Sequence, residues 1–111
     1  MTRRLSTAKF LALLSLRADL GKPRRIRDPL GTATQVVISD WPQRNAQLLL
    51  RLIRGLGGKD EVYSLRDVER IDHETLSLAL ALTMAGMNGR YSDAQWRKAA
   101  AAAEKAVRTL S

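Results

Sequence analysis

Asp72-His73-Glu74 is the one place in the sequence where a histidine stands among carboxylates. Such groups do acid–base work or hold a metal, but a metal site needs three or four side chains converging on one point, and neighbours in sequence on a helix point apart. The triplet therefore reads as the first turn of a helix, where negative charge favours the dipole. Gly55-Leu56-Gly57-Gly58-Lys59-Asp60 has the glycines and lysine of a phosphate-binding loop. It follows a helical pattern instead of a strand, lacks the motif's first glycine, and carries Asp60 where Ser or Thr is required. It reads as a helix stop. With no cysteine, a single histidine and no serine in a nucleophile turn, only scattered carboxylates remain for catalysis. We read the chain as non-enzymatic, with no metal and no cofactor.

The remaining chemistry is that of charge. Lys22-Pro23-Arg24-Arg25-Ile26-Arg27-Asp28-Pro29-Leu30-Gly31 is a proline-bounded basic connector. Its guanidinium forks suit phosphate oxygens, and a basic run gains affinity by releasing condensed counterions. Arg3 and Arg4 add to it from the same end of the chain. Residues 1–30 carry eight Lys or Arg against Asp19 and Asp28, a net +6, while residues 31–111 carry eleven against nine acids, a net +2. A stripe of Arg44, Arg51 and Arg54 at helical spacing extends the basic surface if it shares a face with the connector. The anion-binding candidates are thus Arg3, Arg4, Lys22, Arg24, Arg25, Arg27, Arg51 and Arg54. The competing reading is a solvated loop and a solvated helix face.

No aromatic residue interleaves the connector, so stacking on single strands is not expected, and duplex DNA or structured RNA is the nucleic-acid target the pattern favours. Ser64 to Arg70 followed by His73 onward has the outline of a helix-turn-helix. Its second helix presents Leu and Ala nearly all round, leaving nothing to read base edges. Binding would be largely independent of base sequence.

Positioning these residues falls to helices whose starts are legible. Leu5-Ser6-Phe10, Tyr63-Ser64-Val68, Ile71-Asp72-Leu76 and Tyr91-Ser92-Trp96 each place a capping residue inside a hydrophobic staple. They predict helices over Thr7 to Leu20 (closed by Gly21), Leu65 to Arg70, Thr75 to Met87 and Asp93 to Leu110. Another begins near Asp40, takes Pro42 in its first turn, and ends at Gly55, burying Ala46, Leu48, Leu49, Leu50, Leu52 and Ile53. Thr34 to Ile38, β-branched except for Gln35, predicts a strand whose partner lies near Glu61 to Tyr63. The expectation is a mainly α single domain over residues 1–111, with four to five helices and at most one two-stranded β pair, in which Thr75 to Met87 is sheathed by the others.

Two alternative partners follow from composition. An acidic protein surface would suit the basic end of an adaptor, inhibitor or assembly factor, and a homodimer could form through the seam Trp96, Ala100, Ala103, Val107 and Leu110. A third reading lays the Leu-rich first helix on anionic membrane. Phe10 to Leu16 after Arg3, Arg4 and Lys9 resembles a poor secretory signal, but Arg17 and Asp19 occupy the place of a cleavage site. The longest stretch free of charge, Thr75 to Gly89, is shorter than the roughly 18–20 apolar residues of a membrane span. The expected setting is cytoplasmic and the expected role accessory or regulatory.

Overall fold

Four staples start four helices. In the computed structural model, which describes residues 4–18, 26–59 and 61–110, helices α1 (Thr7–Ala18), α4 (Leu65–Glu69), α5 (His73–Met87) and α6 (Asp93–Leu110) begin directly after Ser6, Ser64, Asp72 and Ser92. Ser64 and Asp67 form a reciprocal capping box. Ser92 and Gln95 do the same, with the Ser92 N–H donating to Gln95 at 2.8 Å and the Gln95 N–H donating to Ser92 at 3.2 Å. The staple side chains Leu5, Phe10, Tyr63, Val68, Ile71, Leu76 and Trp96 are all buried. The starts of α1, α4 and α6 are tied both to a local cap and to the common core. Asp72 makes no capping bond, so the start of α5 is held by its staple alone.

Two further helices complete the fold, α2 (Pro29–Asp40) and α3 (Arg44–Leu56). The strand expected over Thr34 to Ile38 is instead the body of α2, so the described residues form six helices, and Pro29 to Gly31 belong to a helix and not to the connector. Asp28 caps α2 by accepting from the Gly31 N–H at 3.2 Å, and Pro29 occupies the first turn. Leu30, Ala33 and Val37, at helical spacing, are buried against α3, α5 and α6. Burying such side chains outweighs the few tenths of a kcal/mol by which β-branched residues disfavour a helix. Pro42 lies in the turn before α3.

The predicted pairing partner near Tyr63 does pair, but with the chain start: β1 (Arg4–Leu5) and β2 (Tyr63–Ser64) are antiparallel, Leu5 opposite Tyr63. All six apolar residues expected to be buried on α3 are buried. The sheath around α5 is incomplete. It packs on α1, α2 and α3, while Met84 and Met87 face outward at 60% and 82% exposure. No helix among the described residues is long and apolar enough to cross a membrane. The Cα radius of gyration is 13.0 Å, as for one compact folded unit of roughly 100 residues.

Candidate anion-binding surface

Tyr63 is the hinge on which the arginines of α3 are placed. Its ring stacks on Phe10 with centroids 4.3 Å apart, and its hydroxyl donates to the Arg51 carbonyl at 3.0 Å while accepting from Thr7 Oγ1 at 3.3 Å. Burial raises the Tyr63 pKa above its ordinary 10.0. This anchors β2 and α4 under α3 and brings Asp67 within 3.2 Å of the Arg51 guanidinium. The same Asp67 oxygen accepts the Ser64 N–H at 2.8 Å. Arg51 is thus held by a carboxylate that also caps a helix.

Arg54 is more heavily engaged. Its Nε lies 3.0 Å from Glu61 and 3.3 Å from Glu104, close enough for strong charge attraction although neither contact has hydrogen-bond alignment. Arg44 is exposed and borders a cavity of about 300 Å³ with Asp67, Arg70 and Asp72. The three arginines of the stripe therefore differ: two are neutralised from within and one faces solvent.

Of the connector candidates, Arg3, Lys22, Arg24 and Arg25 lie outside the described residues, and Arg4 is placed only as a β1 residue. Arg27 is exposed beside the start of α2. Its carbonyl accepts from the Arg90 guanidinium, which also stands 5.6 Å from the Tyr91 ring centroid. Tyr91 donates to Asp28 at 2.5 Å. That bond, with the Gly31 N–H and nearby Arg90, holds the Asp28 carboxyl below its ordinary 3.8. Arg27 and Arg90 are thereby brought together at the end of the molecule where α6 begins, whereas Arg51 and Arg54 are held among carboxylates on α3.

The cations that sequence reasoning missed are on α6. Arg97, Ala101, Lys105 and Arg108 recur at intervals of four, four and three, which places them on one helical face, with Lys98 beside it. All four cations are exposed, and none makes an ion pair among the described residues. At 1.5 Å per residue the ridge is roughly 16 Å long. At its start, Lys59 and Arg97 border a 230 Å³ notch between the end of α3 and α6, with Arg54 and Glu104 on its floor. Lys59 is exposed. The periodicity was present in the sequence, but the apolar seam on the opposite face of the same helix obscured it.

That seam is used within the chain. Trp96, Ala100 and Ala103 are 4%, 7% and 0% exposed, packed against α2 and α3. These three side chains offer no surface to a second chain, Val107 is half-buried, and Leu110 ends the helix. His73 is exposed at the first residue of α5, and no cluster of three potential metal ligands exists among the described residues. A last surface lies between α1 and α5: Ala8, Leu11, Ala12, Ser15, Leu56, Thr83, Gly86 and Met87 line an apolar groove of about 510 Å³. No family model, curated protein or solved structure matches this chain.

Proposed function

We propose that the chain is a small accessory nucleic-acid-binding protein that grips the phosphate backbone of duplex DNA or structured RNA without reading bases. The observation that carries this reading is the α6 ridge, where Arg97, Lys98, Lys105 and Arg108 stand exposed without carboxylate partners among the described residues. Lys59, Arg27 and the basic connector residues Arg3, Arg4, Lys22, Arg24 and Arg25 complete the cationic set. A duplex carries one charge per ~1.7 Å of axis, so a ridge of this length meets more phosphates than it has cations. No catalytic step or cofactor enters the proposal, and a cytoplasmic setting accords with it. Arg51 and Arg54 are expected to contribute little, because their charges are already met.

Titrating a 20-base-pair duplex at several salt concentrations tests this. Neutralising about five phosphates gives a slope of log affinity on log salt near −4.5, hence roughly a twenty-fold loss on doubling the salt. Replacing the four α6 cations by alanine should flatten that slope by about 3.5, and replacing Arg24, Arg25 and Arg27 should flatten it further. Absence of binding at low salt, or a slope indifferent to both sets, overturns the proposal.

The α1–α5 groove favours a second reading, an interaction module for another protein. Leu16, Met84 and Met87 are exposed at 69%, 60% and 82% around it, and Met side chains adapt readily to a partner. The matching occupant is an amphipathic helix that lays its apolar face into the groove. Met87→Asp with Leu16→Asp should abolish co-purification of such a partner while leaving duplex binding intact. Retained co-purification rules this reading out.

A further inference from the structure

Between α2, α3 and α5 lies a pocket with carboxylates at its edge. The pocket, of about 280 Å³, is walled by Ile26, Val36, Leu49 and Leu78, and its margin carries Asp40, Asp72 and Glu74 with no Lys or Arg in the lining among the described residues. None of these three carboxylates makes an ion pair among the described residues. Asp40 accepts from Asn45 Nδ2 at 2.9 Å through Oδ2, and Asp72 makes no capping bond although it occupies the cap position of α5. Among the described residues the charged side chains of this lining are thus all acidic, in a chain of net charge +8.

The second observation lies inside. Thr75 and Ser77 both line this pocket, are only 4% and 3% exposed, and make no hydrogen bond through their hydroxyls among the described residues. Four other helical hydroxyls, of Ser15, Thr34, Thr83 and Thr109, each donate to the carbonyl one turn back. Arg54 Nε is the one fully buried side-chain polar atom without a partner among the described residues, so the Thr75 and Ser77 hydroxyls are open to solvent and to a bound polar group. The combination is an apolar cavity, two unmet hydroxyls within it and negative charge at its mouth. That is the build of a small-molecule site, mostly apolar with a few convergent polar groups.

We propose that this pocket binds a small organic cation with an apolar body, of the alkyl-diamine class. The methylene chain lies against Ile26, Val36, Leu49 and Leu78, and the ammonium groups meet the Thr75 and Ser77 hydroxyls inside and Asp72, Glu74 and Asp40 at the margin. An ammonium donates without accepting, which suits carboxylates and free hydroxyl lone pairs alike. The site does not depend on the nucleic-acid reading, since it lies on other elements and has the opposite charge.

Calorimetric titration of the full chain with 1,5-diaminopentane, in the absence of nucleic acid, tests the proposal. One saturable site is expected. Asp72→Asn with Glu74→Gln should weaken it by about ten-fold or more, because charge-assisted bonds are replaced by neutral ones. Ser77→Ala removes no internal hydrogen bond and should fold as the parent does, yet weaken the diamine by roughly three-fold or more. Pentan-1-ol, which keeps the apolar body and loses the charge, should bind at least about ten-fold more weakly than the diamine. Failure to saturate, equal affinity in the folded Ser77→Ala and charge-neutral variants, or equal binding of the alcohol overturns the assignment.

Discussion

Replacing Gly55 by alanine sets two effects of known size against each other. Gly55 lies in α3, where alanine is favoured over glycine by up to ~1 kcal/mol. An added Cβ, however, would stand 2.6 Å from the Tyr63 hydroxyl oxygen and 2.8 Å from Thr7 Oγ1. Thr7 is half-buried and can turn away. Tyr63 cannot, being 1% exposed, stacked on Phe10 and bonded through its hydroxyl to the Arg51 carbonyl. Overpacking a closed site costs about 1–3 kcal/mol, so the net change should be a loss of ~1–2 kcal/mol. For a domain of this size that lowers Tm by roughly 5–15 °C in a thermal melt followed by circular dichroism. The same substitution in a Tyr63→Phe background meets only Thr7, which can turn away, and should be neutral or stabilising, giving a coupling of ~2 kcal/mol in the double-mutant cycle. A Gly55→Ala protein that melts higher than the parent, or a penalty that persists without the hydroxyl, refutes this account of how β2 is locked under α3.

Two further substitutions test the charge arrangement. Asp67→Ala removes the acceptor of both the Ser64 N–H and Arg51, and should cost about 1–2 kcal/mol in urea unfolding, near the lower end because Arg51 can regain water. The freed Arg51 should steepen the salt slope of duplex binding by up to about one, a change absent if Arg51 already contacts phosphate in the parent. At the start of α2, the Asp28 carboxyl titrates below its ordinary 3.8, first because of the Tyr91 hydrogen bond. A lowered value in the folded state means stability that is present above pH 3.8 and lost as pH falls through the lowered value. Asp28→Asn keeps a capping oxygen but cannot titrate, so its melting temperature should fall less than the parent's across that window.

The sequence shows where helices begin more clearly than what they bury. Staples and caps are local, within five residues, and all four lie at helix starts, although the central helix begins at His73, two residues before the predicted Thr75; α2 has no staple, and its β-branched body pointed to a strand. Its signals were Asp28-Pro29 and the Leu30, Ala33, Val37 spacing, which outweigh propensity only when three neighbouring helices supply the burial. The ion pairs were not legible for the same reason. Asp67 comes to Arg51 from α4, and Glu61 and Glu104 come to Arg54 from a loop and from α6, so a stripe that reads as basic along one helix is largely neutralised in the fold. The α6 ridge was missed although its spacing is local, because the apolar seam on the opposite face dominated the reading of that helix.

Arg54 matters to that ridge without belonging to it. In an isolated α6, Glu104 would face Arg108 four residues on, the favourable order for a helical ion pair worth ~0.3–0.5 kcal/mol. The fold instead places Glu104 3.3 Å from Arg54, which leaves Arg108 unpaired and available to an anion. Removing Arg54 should therefore return Glu104 to Arg108 and reduce the salt slope of duplex binding by up to about one, as though a ridge cation had been lost. Direct contact of Arg54 with phosphate predicts the same loss, so the single variant does not separate the two. Glu104→Gln does. If Arg54 acts by occupying the carboxylate, Arg54→Gln combined with Glu104→Gln restores the parent slope, because nothing remains to neutralise Arg108. If Arg54 holds a phosphate itself, the double variant stays as shallow as Arg54→Gln alone, and the ridge must then be redrawn to include α3.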